Sequence, residues 1–170
     1  EFMPNGEIIV SPVSILQERI HEFERHCMLI FTGQSRIASV IAAEQIKNIP
    51  GKKQELFTMR QMVDEATNLV TSTQDRWHDF GKLLHESWRI KQTLSSKITN
   101  PIINAMYEEA LRAGAWGGKL LGAGGGGFLL LFSDPVVHPR IKKRLREFTN
   151  VSLRFENGGT QVIYRMPVSA

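Results

Sequence analysis

The chain has 170 residues, enough for one domain or one domain with an elaboration, and its 42% hydrophobic and 22% charged residues exclude wholesale disorder. The formal net charge of +4 suits anionic ligands and is diagnostic of none, and no apolar run approaches the roughly 18–20 residues that span a bilayer. A single cysteine, Cys27, rules out an internal disulfide and a cysteine-built zinc site, and predicts a reducing, cytoplasmic setting.

Residues 1–12 alternate weakly around Pro4-Asn5-Gly6, which reads as a turn and a short strand. The opening Glu1-Phe2-Met3 carries no signal segment. It reads as a cloning remnant ahead of Met3, or as native sequence inside a longer chain. Ser14 to His26 is charged and fits a short helix. Cys27 to Phe31 is a continuous apolar run of strand length. Ser35 then stands as an N-cap for a helix with Ile37, Val40, Ile41 and Ile46 on its apolar stripe, stopped by Pro50-Gly51. Leu56, Met59, Val63, Ala66 and Val70 repeat at three and four, a second amphipathic helix. Thr71-Ser72-Thr73 interrupts it. Trp77, Phe80, Leu84 and Trp88 resume the spacing behind Asp75 as cap, and that stripe reads as core.

Asn100-Pro101 is a strong helix start, with Ile103, Met106, Tyr107 and Ala110 on one face and Gly114 as the stop. Of the 14 glycines, eight then fall between Gly114 and Gly127. Lys119-Leu120-Leu121 leads into Gly122-Ala123-Gly124-Gly125-Gly126-Gly127 and on to the apolar Phe128–Phe132: strand, glycine loop, strand. Ser133-Asp134-Pro135 caps another helix, with Val137, Ile141, Leu145 and Phe148 inward. Val151 to Phe155 alternates as a strand, Asn157-Gly158-Gly159 signals a hairpin, and Val162 to Tyr164 returns. Without its extra helices the order is β-α-β-β-α-β. That predicts an α/β (α+β) fold: a ferredoxin-like antiparallel sheet, helices on one face, with an expanded helical crossover between Ser35 and Ala113.

The glycine loop is the most informative segment. Repeated glycine costs conformational entropy. It implies a backbone that must be closely approached, or successive N–H groups cupped around an anion. A bulged hairpin of structural use only is the plain alternative. The P-loop pattern fails, because Gly118-Lys119 is followed by Leu120. Gly122-x-Gly124-x-x-Gly127 matches the dinucleotide fingerprint, but a strand follows where a helix must open. The protein-kinase loop fits in spacing, yet no V-A-I-K, H-R-D or D-F-G accompanies it.

What remains, Lys119 through Phe128, resembles the third conserved motif of the GHMP kinases, the superfamily of galactokinase, homoserine kinase, mevalonate kinase and phosphomevalonate kinase. Asn100-Pro101, Ala113-Gly114-Ala115-Trp116-Gly117-Gly118-Lys119, Phe31-Thr32-Gly33 with Ser35-Arg36, Leu83-Leu84-His85-Glu86-Ser87-Trp88 and Leu94-Ser95-Ser96 extend the likeness over most of the chain. Together they are similar to the bacterial heptose phosphate kinase branch, with fucose kinases as near relatives.

The resemblance implies a C-terminal GHMP kinase domain at residues 13–170, preceded at residues 1–12 by the last hairpin of an N-terminal domain. It implies a transferase moving the γ-phosphoryl group of ATP to a hydroxyl of a heptose phosphate or related sugar. The family's main phosphate loop, of type P-x-x-x-G-L-G-S-S-A, has no counterpart here. The resemblance therefore places no catalytic residue and no metal ligand in this chain, and assigns ATP and Mg²⁺ mainly to the N-terminal half. It places Gly122, Ala123, Gly124, Gly125, Gly126, Gly127 and Lys119 near the phosphates, and Thr32, Gly33, Arg36, Ser95, Ser96 and Asn100 on the sugar side. Arg36 also reads as a surface residue of a first helical turn, and Lys119 as a solvated strand lysine. The implied partners are the N-terminal half and a sugar phosphate, with no membrane. Alone, the chain is expected to be nearly inactive and to self-associate through an exposed apolar cleft face.

Other constellations are weaker. No histidine pair has H-E-x-x-H spacing, and His85 reads as a packing residue. Asp64-Glu65 and Glu108-Glu109 are adjacent on helices and so point apart. Arg140, Lys142, Lys143, Arg144 and Arg146 make a basic helix, which gives the rival reading of a non-catalytic, ferredoxin-like ligand- or nucleic-acid-binding module. The aromatic pattern of an RNA-stacking sheet is missing, so no nucleic acid is expected.

Overall fold

The computed structural model describes residues 1–35, 37–156 and 158–164. Ten of its elements carry the fold. They are α1 (Gln17–His26), β1 (Cys27–Phe31), α2 (Ala38–Asn48), α3 (Lys53–Thr71), α4 (Trp77–Thr93), α5 (Pro101–Arg112), β2 (Gly117–Leu120), β3 (Phe128–Phe132), α6 (His138–Arg144) and β4 (Thr149–Val151). The strands form one antiparallel sheet in the order β2-β3-β1-β4. This is the ferredoxin-like order expected from the sequence, with α2 to α5 filling the expanded crossover.

The strands are short apolar runs, and alternation sends their side chains to both faces. Met28 and Ile30 of β1, with Leu129 and Leu131 of β3, pack against Ile103, Met106, Tyr107 and Ala110 of α5, Trp88 of α4 and Ile141 of α6. Cys27 and Phe132 are opposite each other in register and turn the other way. They meet Phe23 of α1 and Trp77 and Phe80 of α4 in a second cluster. Helices on one face alone is therefore too simple, because α1 and the start of α4 cover part of the other. Burial pushes the Cys27 thiol up to about 12, so it packs as an inert small hydrophobe. Helix α4 lies so close on β2 that a Cβ at Gly117 would strike the Gly81 carbonyl.

Helix α5 forms for the reasons its sequence suggests. The Asn100 side chain accepts from the Ile103 N–H at 3.0 Å, Pro101 holds the first helical position, and four apolar residues face inward. Helix α2 is different. Ile37, not Ser35, is its N-cap residue, and no side chain caps it. Of its expected apolar stripe only Ile41 is buried, whereas Ile37, Val40 and Ile46 are more than half exposed. Arg76, not Asp75, precedes α4, again without a side-chain cap.

The C-terminal strand is shorter and earlier than expected, Thr149–Val151 in place of Val151 to Phe155. It pairs with β1 at the sheet edge, where only three residues find partners. No returning strand forms at Val162 to Tyr164, which are exposed, and Asn157 of the expected hairpin lies outside the described residues. At the N-terminus, Phe2 and Ile8 form a single antiparallel bridge around the Pro4-Asn5-Gly6 turn. Among the described residues, no helix is long and apolar enough to cross a membrane.

Candidate functional site

The loop between β2 and β3 is gripped from three sides. The segment after β1 is the first. Thr32 donates from both its N–H and its hydroxyl to the Gly127 carbonyl, each at 2.9 Å, and Gly127 N–H donates to the Gln34 carbonyl at 2.8 Å. Gly33 takes the left-handed turn between them, and Gly126 lies against the Gln34 backbone.

The link between α4 and α5 is the second grip. Gly125 N–H donates to the Ile98 carbonyl at 2.6 Å, and the Asn100 amide donates to the Gln34 side-chain oxygen at 2.7 Å and to the Gly125 carbonyl at 3.4 Å. Asn100 thus caps α5 with its oxygen and ties two loops together with its nitrogen. Gly124 has φ +121, and a Cβ there would sit 2.6 Å from Ile98 Cα. Only glycine satisfies both the conformation and that approach.

Helix α2 and the end of α4 complete the grip. Gln45 donates to the Ala123 carbonyl at 2.7 Å, and Lys91 Nζ donates to the Gly122 carbonyl at 2.6 Å. One position earlier on α2, Glu44 accepts from the Ser95 hydroxyl at 2.6 Å and from the Ser96 hydroxyl at 3.4 Å, and pairs with Lys97 at 2.9 Å. The Ser95 hydroxyl above all, then Lys97, holds the Glu44 carboxyl below its ordinary value. Asn48 adds a bond to the Leu94 carbonyl at 2.9 Å.

The structure thus gathers Thr32, Gly33, Ser95, Asn100 and Gly122 through Gly127 into one corner, with Ser96 at its rim on Glu44. Arg36 lies outside the described residues. Lys119 is elsewhere: it points into a cleft lined by α3 and α4 that includes no residue of the glycine loop. His85 stacks on Tyr107 with its Nδ1 2.7 Å from the Tyr107 hydroxyl, a packing role.

The loop is a narrower anion cradle than five glycines suggest. The N–H groups of Gly125 and Gly127 are used internally, while those of Gly122, Ala123, Gly124 and Gly126 have no acceptor among the described residues. Part of the glycine content serves close packing. Among the described residues, no group of three His, Cys, Asp or Glu side chains is placed to hold a metal ion.

Glu44, Gln45, Gln34 and Ile98 were not legible as site residues. The available signal was the polar set Glu44, Gln45 and Asn48, spaced like Ile41 on the inward face of α2. The stronger stripe of Ile37, Val40 and Ile46 masked it.

Comparison with known proteins gives a consistent result. The family described as GHMP kinases C terminal matches residues 68–150. The D-glycero-alpha-D-manno-heptose 7-phosphate kinase of Campylobacter jejuni is 33% identical over 150 residues, covering 86% of this chain and 43% of that enzyme. A crystal structure of a putative sugar kinase from Campylobacter jejuni superposes with a TM-score of 0.55 at 27% identity, over 89% of this chain and 42% of that one. Mevalonate kinase of L. major, crystallised with R-mevalonate, superposes with a TM-score of 0.66 at 15% identity, over 85% of this chain and 43% of that one, and shares the fold. The chain spans less than half the length of each.

Proposed function

We propose that this chain, which carries the C-terminal domain of the GHMP kinases, works as one half of an ATP-dependent sugar kinase whose acceptor is a hydroxyl of a heptose phosphate or related sugar. The observation that carries the reading is the convergence of three segments on Gly122–Gly127, which stiffens a loop with four N–H groups to spare. The 33% identity to a heptose 7-phosphate kinase supports the choice of substrate class.

On this reading an N-terminal domain supplies the main phosphate loop, the catalytic residues and the metal ligands. ATP with Mg²⁺, when bound, supplies a γ-phosphoryl group whose charge the metal neutralises. This chain's residues do the positioning. The N–H groups of Gly122, Ala123, Gly124 and Gly126 are donors for phosphate oxygens, and the clamp keeps the loop from reorganising when charge develops. Thr32, Ser95, Ser96 and Asn100 border the acceptor side. The exposed Ile37, Val40 and Ile46 of α2 beside this corner suit an apolar cover, the N-terminal half in the complete enzyme or a second copy when the chain is alone.

The test is ADP release from ATP-Mg²⁺ with heptose 7-phosphate, using the chain alone and then mixed with an N-terminal half encoded by the same gene. Turnover only in the mixture is expected. Turnover by the chain alone would move the chemistry into these residues and overturn the division of labour. Silence in both would overturn the kinase reading.

A further inference from the structure

A second site, independent of the kinase reading, lies away from the glycine loop. Lys119 sits in the middle of β2, opposite Leu130 in register. Its side chain enters a cleft of about 170 Å³ between the sheet and the α3–α4 pair. Met59, Met62, Val63 and Ala66 of α3 form one wall, and Phe80, Leu83, Leu84 and Ser87 of α4 the other. No carboxylate lines this cleft, and neither Lys119 nor Ser87 has a hydrogen-bond or ion-pair partner among the described residues. Burial alone holds the Lys119 amine below its ordinary value.

A partly buried amine with no counter-ion costs free energy unless something else supplies the partner. We propose that this cleft binds a short-chain monocarboxylate, with the carboxylate on the Lys119 ammonium and the Ser87 hydroxyl and the alkyl chain against Met59, Met62 and Leu84.

The dimensions select the ligand. The cleft is well below the roughly 300 Å³ of a drug-sized pocket, so the ligand is small. Apart from Lys119 and Ser87 its walls are apolar, so most of the ligand is hydrocarbon. One ammonium and one hydroxyl match a singly charged carboxylate, whereas a phosphate dianion would be left short of donors. Two methionines in the α3 wall adapt to chains of differing shape.

Binding also has a definite pH signature. The anion replaces the hydration that burial removed and favours the charged amine. Affinity is therefore highest where Lys119 is protonated in the free protein, and falls as pH rises through its lowered pKa.

Hexanoate and its uncharged counterpart hexanol are the probes, titrated into the 170-residue chain while the Met59 and Met62 methyl resonances are followed. Hexanoate is expected to shift both. Lys119→Met keeps the unbranched apolar stem, removes only the amine, and is expected to retain the fold. It should weaken hexanoate by about tenfold, the loss of one charge-assisted contact, and leave hexanol unchanged. Ser87→Ala should weaken hexanoate by a smaller factor. The proposal is overturned if hexanoate shifts neither methyl at about 10 mM, beyond the range of useful weak affinity. It is equally overturned if Lys119→Met, folded by its melting profile, binds hexanoate as the parent does.

Discussion

Helices α2 and α5 both touch the glycine loop, yet they are built inside out relative to each other. Helix α5 buries Ile103, Met106, Tyr107 and Ala110 and hydrogen-bonds the loop through its cap, Asn100. Helix α2 turns Glu44, Gln45 and Asn48 toward the loop and the Leu94–Lys97 link, and leaves Ile37, Val40 and Ile46 in water. A helix packed on a hydrophobic core is amphipathic in the ordinary sense. One that must satisfy a backbone-rich loop faces it with hydrogen-bonding groups, and its apolar side is left for another surface. The contrast separates an element that stabilises the fold from one that serves the site.

The largest expected effect tests this contrast directly. Ile103→Ala, at a fully buried position of α5, should lower stability by about 2–5 kcal/mol in urea unfolding. Ile46→Ala, on the exposed side of α2, should change it by less than about 0.5 kcal/mol. Equal losses would mean that the outer face of α2 is structural after all.

Next is the loop itself. Gly124→Ala forces a side chain into a positive-φ position against the Ile98 backbone and should cost about 2–3 kcal/mol. The same substitution is expected to lower amide-exchange protection at Gly125 and Gly127, whose N–H groups bond the Ile98 and Gln34 carbonyls; protection kept at both sites would mean that the clamp survives.

The smallest effect concerns Glu44. Its carboxyl is held below its ordinary value, so the ionised form stabilises the fold. That contribution is complete above a pH of about 4.5 and is lost as pH falls through the lowered folded value. Glu44→Gln should therefore melt below the parent near neutral pH, and the gap should close in acid. A gap independent of pH would mean that the Ser95 and Lys97 contacts carry no ionic component.

How much of this was legible in advance depended on the kind of contact involved. The cap at Asn100, the strands Cys27–Phe31 and Phe128–Phe132 and the ferredoxin-like order follow from local signals. The cap geometry, the apolar runs and the glycine turn each act within a few residues. Ser35 and Asp75 failed as caps because a capping residue type is permissive: the chain enters α2 and α4 without using either. The strand expected at Val151 to Phe155 moved to Thr149–Val151 because edge pairing depends on what β1 offers, which alternation does not encode.

The sequence by itself determined the strand–loop–strand at residues 117–132, the presence of the helices and the family resemblance, since all rest on short-range periodicity and composition. Only the tertiary structure decided that Glu44 and Gln45 reach the site, that Lys119 leaves it for the α3–α4 cleft, and that two loop N–H groups are spent internally. The reason is separation along the chain: Gln45 meets Ala123 across 78 positions and Thr32 meets Gly127 across 95, contacts that packing alone brings together.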